Sequence, residues 1–207
     1  MRKIILVSAT PLEHGGLKEL NGIPIFQVGI GKINAASNLT EILWNEEPDV
    51  VINFGSCGNL KNHKVSEVIE VGSVYNNIDV RPFAEYGCTP ENNQCEIKLS
   101  DSGVKLFTTD QIYDNTRTDY AEKYLDMIKE CDIVDMEGYA LAYVCKQRGI
   151  PFKSYKWVSD DGNVDTWEEN AAVGFENFKE VFSNLTLNIF SPNLDTIIKK
   201  LNIEKEF

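Results

Sequence analysis

The chemistry this sequence offers most plainly rests on two acids, Glu137 and Asp160, in the stretch CDIVDMEGYALAYVCKQRGIPFKSYKWVSDDGNVD from Cys131 to Asp165. A strand-like run from Asp132 to Met136 ends on Glu137, and a second, Phe152 to Val158, delivers Ser159, Asp160 and Asp161. Between them Ala140, Leu141, Val144 and Cys145 mark one buried helix face, which Gly149 and Pro151 terminate. A strand–helix–strand unit predicts parallel strands, so both acids should emerge at one rim of the sheet. Open α/β sheets bind small ligands at that rim. Two carboxyl groups meeting there suit acid–base work.

Other strand ends add to the set. Lys3 to Ser8 centres on an unbroken apolar run, the pattern of a strand covered on both faces. It leads into Ala9-Thr10-Pro11-Leu12-Glu13, with Thr10 placed to cap a helix, Pro11 at its first position and Glu13 in its first turn. Glu13 is then either a site acid or a partner of the helix dipole, two readings the spacing alone leaves open. Ile23 to Val28 forms a second strand ending in Gly29-Ile30-Gly31-Lys32, followed by a helical pattern from Ile33 to Trp44. The third glycine of a dinucleotide fingerprint is replaced by Asn34, so tight turning explains these glycines better. Asp49 to Phe54 is a third strand, leading into Gly55-Ser56-Cys57-Gly58, small residues that let a ligand approach the backbone. Cys57 has no patterned histidine nearby and reads as a packed thiol rather than a nucleophile.

Val65 to Asn76 reads as extended, and the polar, aromatic stretch Asn77 to Pro90, with Phe83 and Tyr86, as a rim or an interface. A short strand, Lys105 to Thr109, ends in Asp110-Gln111-Ile112-Tyr113, and a helix spans about Asp119 to Lys129. After Asp165, a long amphipathic helix from Trp167 to Phe190 places Val173, Phe175, Phe178, Val181, Phe182 and Leu185 inward. Pro192 breaks it before a last helix, Leu194 to Leu201. Alternating strands and helices predict a three-layer α/β/α sandwich around a mixed, mostly parallel twisted sheet, the polar middle supplying antiparallel strands. The acids Glu13, Asp110, Glu137 and Asp160 then gather with Ser56 and no Arg, leaving Arg81 as the one cation that could contradict the pattern.

The whole chain of 207 residues reads as one domain. A net charge of −12 argues against nucleic-acid or anionic-lipid partners, which Lys and Arg would have to hold. No apolar run reaches membrane-spanning length, and the N-terminal one, Ile4 to Val7, is too short for a secretion signal. Five Cys without paired spacing and two distant His predict no metal site and free thiols in a reducing cytoplasm; no cofactor is called for.

These motifs resemble the nucleoside phosphorylase/nucleosidase superfamily, and within it the 5′-methylthioadenosine/S-adenosylhomocysteine nucleosidases. The matching pieces are Ala9-x-x-x-Glu13, Gly29-Ile30-Gly31-Lys32, Asn53-Phe54-Gly55-Ser56-Cys57-Gly58, Asp79-Val80-x-x-Phe83, Asp135-Met136-Glu137-Gly138 and Val158-Ser159-Asp160. The resemblance implies hydrolysis of the N-ribosidic bond of a purine nucleoside, 5′-modified in that family. It implies Asp160 as general acid to the base, aided by Ser159, and Glu13 as the group that activates water. Glu137, beside Met136, would bind the ribose hydroxyls, and Ser56, Cys57 and Gly58 would line ribose and base. Phe83 matches an aromatic that reaches the partner subunit's site, so the resemblance implies a homodimer. The family's base-stacking Phe is replaced by Ile112, leaving either Ile112 or Tyr113 over the base. Superfamily phosphorylases carry Arg at the position of Asn53, which favours water over phosphate as nucleophile. A futalosine hydrolase, a phosphate-dependent phosphorylase and a non-catalytic nucleoside-binding protein are the competing readings.

Overall fold

The computed structural model describes residues 3–162 and 167–186. The first half is built as its apolar runs require. Strands β1 (Ile4–Ser8), β3 (Ile23–Gln27) and β4 (Val50–Asn59) lie side by side, β1 pairing parallel with both, and β2 (Glu19–Leu20) adds antiparallel to β3. Side chains alternate across β1. Ile5 and Val7 enter the core beneath helices α1 (Lys32–Glu46) and α3 (Gly138–Gln147), with Leu39, Leu43, Leu141 and Cys145. Leu6 enters the opposite core, where Phe175, Phe178 and Phe182 of helix α4 (Trp167–Thr186) pack on Phe54 and Trp157. This is the expected α/β/α layering. A third cluster seats Tyr124 of helix α2 (Glu122–Glu130) against Phe107 of strand β7 (Val104–Thr108).

The sheet is mixed, as expected, but its closure was not. Strand β5 (Val68–Asn76) pairs antiparallel with β6 (Glu96–Lys98) and parallel with β7, which continues parallel into β8 (Ile133–Asp135). Strand β9 (Phe152–Asp160) pairs parallel with β4 and antiparallel with β5. Because β8 pairs antiparallel with β4, β4–β8–β7–β5–β9 form a ring. The strands flanking α3 therefore run in opposite senses, correcting the parallel strand–helix–strand unit. Periodicity reports which residues are buried, not which strand lies beside which. A bulge in β5 helps the sheet turn there. Gly72 lies against the Ser102 carbonyl, 2.5 Å from where a Cβ would stand.

Three local expectations change. Gly55-Ser56-Cys57-Gly58 does not leave the third strand but lies inside β4, which runs ten residues. Val173 is 52% exposed, because it sits two residues, or about 200°, from Phe175 on the helix wheel. Cys88 and Cys95 are joined in a disulfide, so only Cys57, Cys131 and Cys145 are free among the described residues. The proposed helix Leu194 to Leu201 and the last residues of the Trp167 to Phe190 helix lie outside the described residues.

One glycine fixes how closely α4 sits on β9. A Cβ on Gly174 would stand 1.9 Å from Cδ1 of Trp157, itself fully buried. Glycine to alanine inside a helix ordinarily stabilises by up to ~1 kcal/mol. Here the sign should reverse: Gly174→Ala is expected to cost roughly 1–3 kcal/mol by overpacking. Urea denaturation of the two proteins measures it, and an unchanged or raised midpoint would show that α4 can move off Trp157.

Candidate active site

Glu13 owes its position to the chain's exit from β1. Thr10 is extended, and Pro11–His14 form a single 3₁₀ turn that folds the carboxyl group back over the strand end. The backbone N–H groups of Ala9 and Thr10 donate to Oε2 at 2.9 and 3.1 Å. Oε1 accepts from the Ser56 N–H at 2.8 Å and from the Ser56 hydroxyl at 2.9 Å. Four converging donors suit an acceptor-only carboxylate. The bond to Ser56, forty-three residues away in sequence, ties the Glu13 carboxyl group to β4 as well as to its own turn.

The strand pattern around β4 explains why a carboxylate fits there. One edge of β4 pairs with β1 as far as Asn53 and with β8 from Gly58 onward. The opposite edge carries β9 along its length. In the interval between β1 and β8 the Ser56 N–H faces Glu13, which supplies the acceptor a neighbouring strand would otherwise provide. Gly55 leaves the room: a Cβ there would lie 2.8 Å from Glu13 Oε1.

Asp160 ends β9 opposite Gly58 and is 8% exposed. The Gly162 N–H donates to its Oδ1 at 3.0 Å, and Oδ2 lies 2.7 Å from the Ser159 hydroxyl. That hydroxyl also reaches the Cys57 carbonyl at 3.1 Å. A hydroxyl has one proton to give. If Ser159 gives it to Cys57, Oδ2 must bring its own, so the arrangement accommodates Asp160 as a neutral acid. Burial likewise raises the Asp160 pKa, against the lowering effect of its bonds to Ser159 and Gly162.

Glu137, at the N-terminal end of α3, is 6% exposed and accepts the Gly31 N–H at 2.8 Å. The first glycine loop, expected only to turn tightly, thus contacts the site. Burial, then the charge of Asp135, pushes Glu137 up to about 8, with Lys156 acting in the other direction. Asp135 itself accepts from Thr108 at 2.7 Å and the Gly138 N–H at 2.8 Å, and pairs with the Lys156 ammonium at 2.8 Å. Burial would lower the Lys156 pKa, but Asp135, Glu137 and Glu13 together hold it above its usual value. The gathering of acids therefore includes a cation, contrary to expectation. It is a lysine, paired with Asp135 at 2.8 Å, and Arg81 instead pairs with Asp79 on the surface.

One cavity is lined by both Glu13 and Asp160, with Glu137, Met136, Ser56 and Ser159 between them. Cys57, Gly58, Ile112 and Tyr113 also line it, Ile112 at the mouth and 60% exposed, Tyr113 half-buried. Phe83 does not: it is 81% exposed and outside the lining of this chain's cavity. Asp110 is likewise outside it, paired with Lys32 at 2.8 Å. The Cys57 thiol points to the Trp157 carbonyl at 3.4 Å, and burial raises its pKa well above an ordinary thiol's. It is a wall, not a nucleophile. No group of three or more potential metal ligands occurs among the described residues.

Sequence reasoning missed Asp135, Lys156 and Trp167. A signal existed for the pair: Lys156 stands between Tyr155 and Trp157 in a strand, where a buried charge needs a partner. Trp167 carried none, since its indole N–H could be matched to Ser56 only in three dimensions.

The family model described as Phosphorylase superfamily matches residues 91–191. A 5′-methylthioadenosine/S-adenosylhomocysteine nucleosidase from an Exiguobacterium species is 31% identical over 78% of this chain and 75% of its own length. Among solved structures, the nucleosidase of that name from Neisseria meningitidis, in complex with methylthio-immucillin-A, superposes with a TM-score of 0.74. It is 20% identical, over 88% of this chain and 97% of that one. Futalosine hydrolase of Helicobacter pylori superposes with a TM-score of 0.73 at 18% identity, over 88% of this chain and 98% of that one.

Proposed function

This chain belongs to the 5′-methylthioadenosine/S-adenosylhomocysteine nucleosidase family of the phosphorylase superfamily, and from that premise we propose that it hydrolyses the N-ribosidic bond of a purine nucleoside. The observation that carries the reading is the convergence of Glu13 and Asp160 on one cavity, anchored two residues apart on β4 at Ser56 and Gly58. Such a bond breaks through an oxocarbenium-like transition state, in which one acid protonates the leaving group and one carboxylate activates water.

Asp160 is the acid. It gives its proton to N7 of the purine, and the bonds from Ser159 and Gly162 then stabilise the carboxylate left behind. Glu13 holds the water and takes its proton. Glu137 faces the ribose hydroxyls, with Met136 packed against the sugar. Burial and the charge of Asp135 raise the Glu137 pKa, and positive charge developing on the ribose favours the ionised carboxylate that stabilises it. Ser56, Cys57 and Gly58 line the ribose and base, and Ile112 and Tyr113 cover the base. A 5′-modified nucleoside of the methylthioadenosine type is the preferred substrate, cytoplasm the place, and a homodimer with Phe83 at the partner's cavity the assembly.

The nucleophile is water. Asn53 donates to the Val7 carbonyl at 3.2 Å and accepts from Ser154 at 2.9 Å, so it is spent within the sheet. Glu13 fills the neighbouring corner with negative charge, which would repel a phosphate dianion. Purified protein should therefore release free base from a panel of methylthioadenosine, adenosylhomocysteine, adenosine, inosine and futalosine in phosphate-free buffer. Added phosphate should leave the rate unchanged. A strict phosphate requirement would make it a phosphorylase, and binding without release would make it a nucleoside sensor. Fastest turnover of futalosine would favour the second solved-structure likeness over the first.

A further inference from the structure

The first turn of α4 touches both halves of the site. Asn170 donates its side-chain amide to the Ser159 carbonyl at 2.7 Å, beside Asp160. Three residues earlier, Trp167 lines the cavity, and its indole Nε1–H donates to the Ser56 hydroxyl oxygen at 3.0 Å. Ser56 in turn lies 2.9 Å from Glu13 Oε1. From this chain of contacts we infer that Trp167 is a positioning residue for the water-activating carboxylate, acting through Ser56.

The direction of each hydrogen bond matters here. An indole N–H only donates, and a serine hydroxyl has one proton and two lone pairs. With Trp167 occupying a lone pair, the Ser56 proton has one partner at bonding distance, Glu13 Oε1. Without that donor the hydroxyl is free to rotate toward the cavity and give its proton to substrate or solvent. Glu13 then keeps three backbone donors but loses the fourth bond, and with it a fixed orientation of the lone pair that meets the water. The support for the indole is rigid. Gly174 lets α4 lie against Trp157, and Phe175, Phe178 and Phe182 bury the same helix against β4 and β9. Asn170 fixes the acid's side of the cleft to the same turn, so proton donor and water site share one support.

The inference rests on the hydrolase reading, and its test separates the two. Trp167→Phe keeps the aromatic wall and removes the donor; Ser56→Ala removes the relay; the double variant completes a cycle. With the panel nucleoside that the wild type turns over fastest, Trp167→Phe should lower kcat roughly 10-fold, the order of one hydrogen bond to an acceptor that orients a charge, and leave KM nearly unchanged. The double variant should be no slower than Ser56→Ala alone. If Trp167 were only a wall, Trp167→Phe would match the wild type, and Trp167→Ala would raise KM without a comparable loss of kcat. That outcome, or effects that multiply in the double variant, overturns the inference while the hydrolase reading stands. A wild type that releases no base removes the reading first, and the inference with it. Equal thermal midpoints for wild type and Trp167→Phe exclude a folding defect as the cause of lost rate.

Discussion

Asp160→Asn is expected to lower base release by about 10²–10⁴-fold, the usual contribution of a positioned proton donor, while leaving the fold and nucleoside binding intact. Asparagine reproduces the neutral acid. Its carbonyl can accept the Gly162 N–H, and its amide can donate to the Ser159 hydroxyl, which then serves the Cys57 carbonyl. Only the transferable proton is missing. Single-turnover kinetics beside equilibrium binding of a nucleoside measure the two effects separately. Turnover near that of the wild type would remove Asp160 from the mechanism.

The pH dependence follows from the same burial. A carboxyl group whose pKa is raised keeps its proton above the range of an ordinary aspartate, so wild-type activity falls as pH climbs through that raised value. Stability has the same sign. Between the unfolded and folded values the native chain holds the extra proton, so this group's contribution is complete below that window and lost on passing upward through it. Asp160→Asn should flatten that part of the stability profile.

Glu13→Gln should also suppress hydrolysis by about 10²–10⁴-fold, but for two reasons rather than one. The base is gone, and the amide no longer suits its surroundings. Each carboxylate oxygen of Glu13 accepts two donors. Glutamine can satisfy one pair with its oxygen, but its amide nitrogen must face the other, where it meets at least one backbone N–H that it cannot satisfy. The expected signature is a lower rate together with a loss of roughly 1–3 kcal/mol of stability, the cost of leaving buried donors unpartnered. Denaturation beside the nucleosidase assay tests both, and a variant that is fully stable yet inactive would show that the anchors relax around the amide. A near-normal rate would exclude Glu13 as the base.

The contrast between these variants shows what the sequence disclosed. Acids at strand ends were legible, because apolar runs locate strands and the residue after each run must lie near their ends. Glu13, Glu137 and Asp160 were found that way, and all three line the cavity. The path of the strands was not legible. The antiparallel course of β8 depends on ring closure through β5 and β9, contacts between segments far apart in the chain. The extension of β4 through Gly55 and Gly58 was hidden for a related reason. Glycines read as turns until Glu13 and Val134 are seen in the space their side chains would fill. Lys156 and Asp135 were present in the pattern, as a lysine between two aromatic residues and an acid two residues before another. Neither has meaning until the other is beside it. The disulfide was missed because Cys88 and Cys95 lie within an irregular stretch whose course no periodicity predicts.

The mooring of Glu13 has a consequence for how this enzyme tolerates change. Three of the four groups that grip the carboxylate belong to the main chain, at Ala9, Thr10 and Ser56. Side chains at those positions can be exchanged, proline apart, without withdrawing a single main-chain donor. Exchange of the Ala9 and Thr10 side chains can thus reshape the rim while the Glu13 carboxylate stays where it is, whereas Ser56 also supplies the fourth donor. The vulnerable point is an atom that is not there: any side chain added at Gly55 would evict the carboxylate.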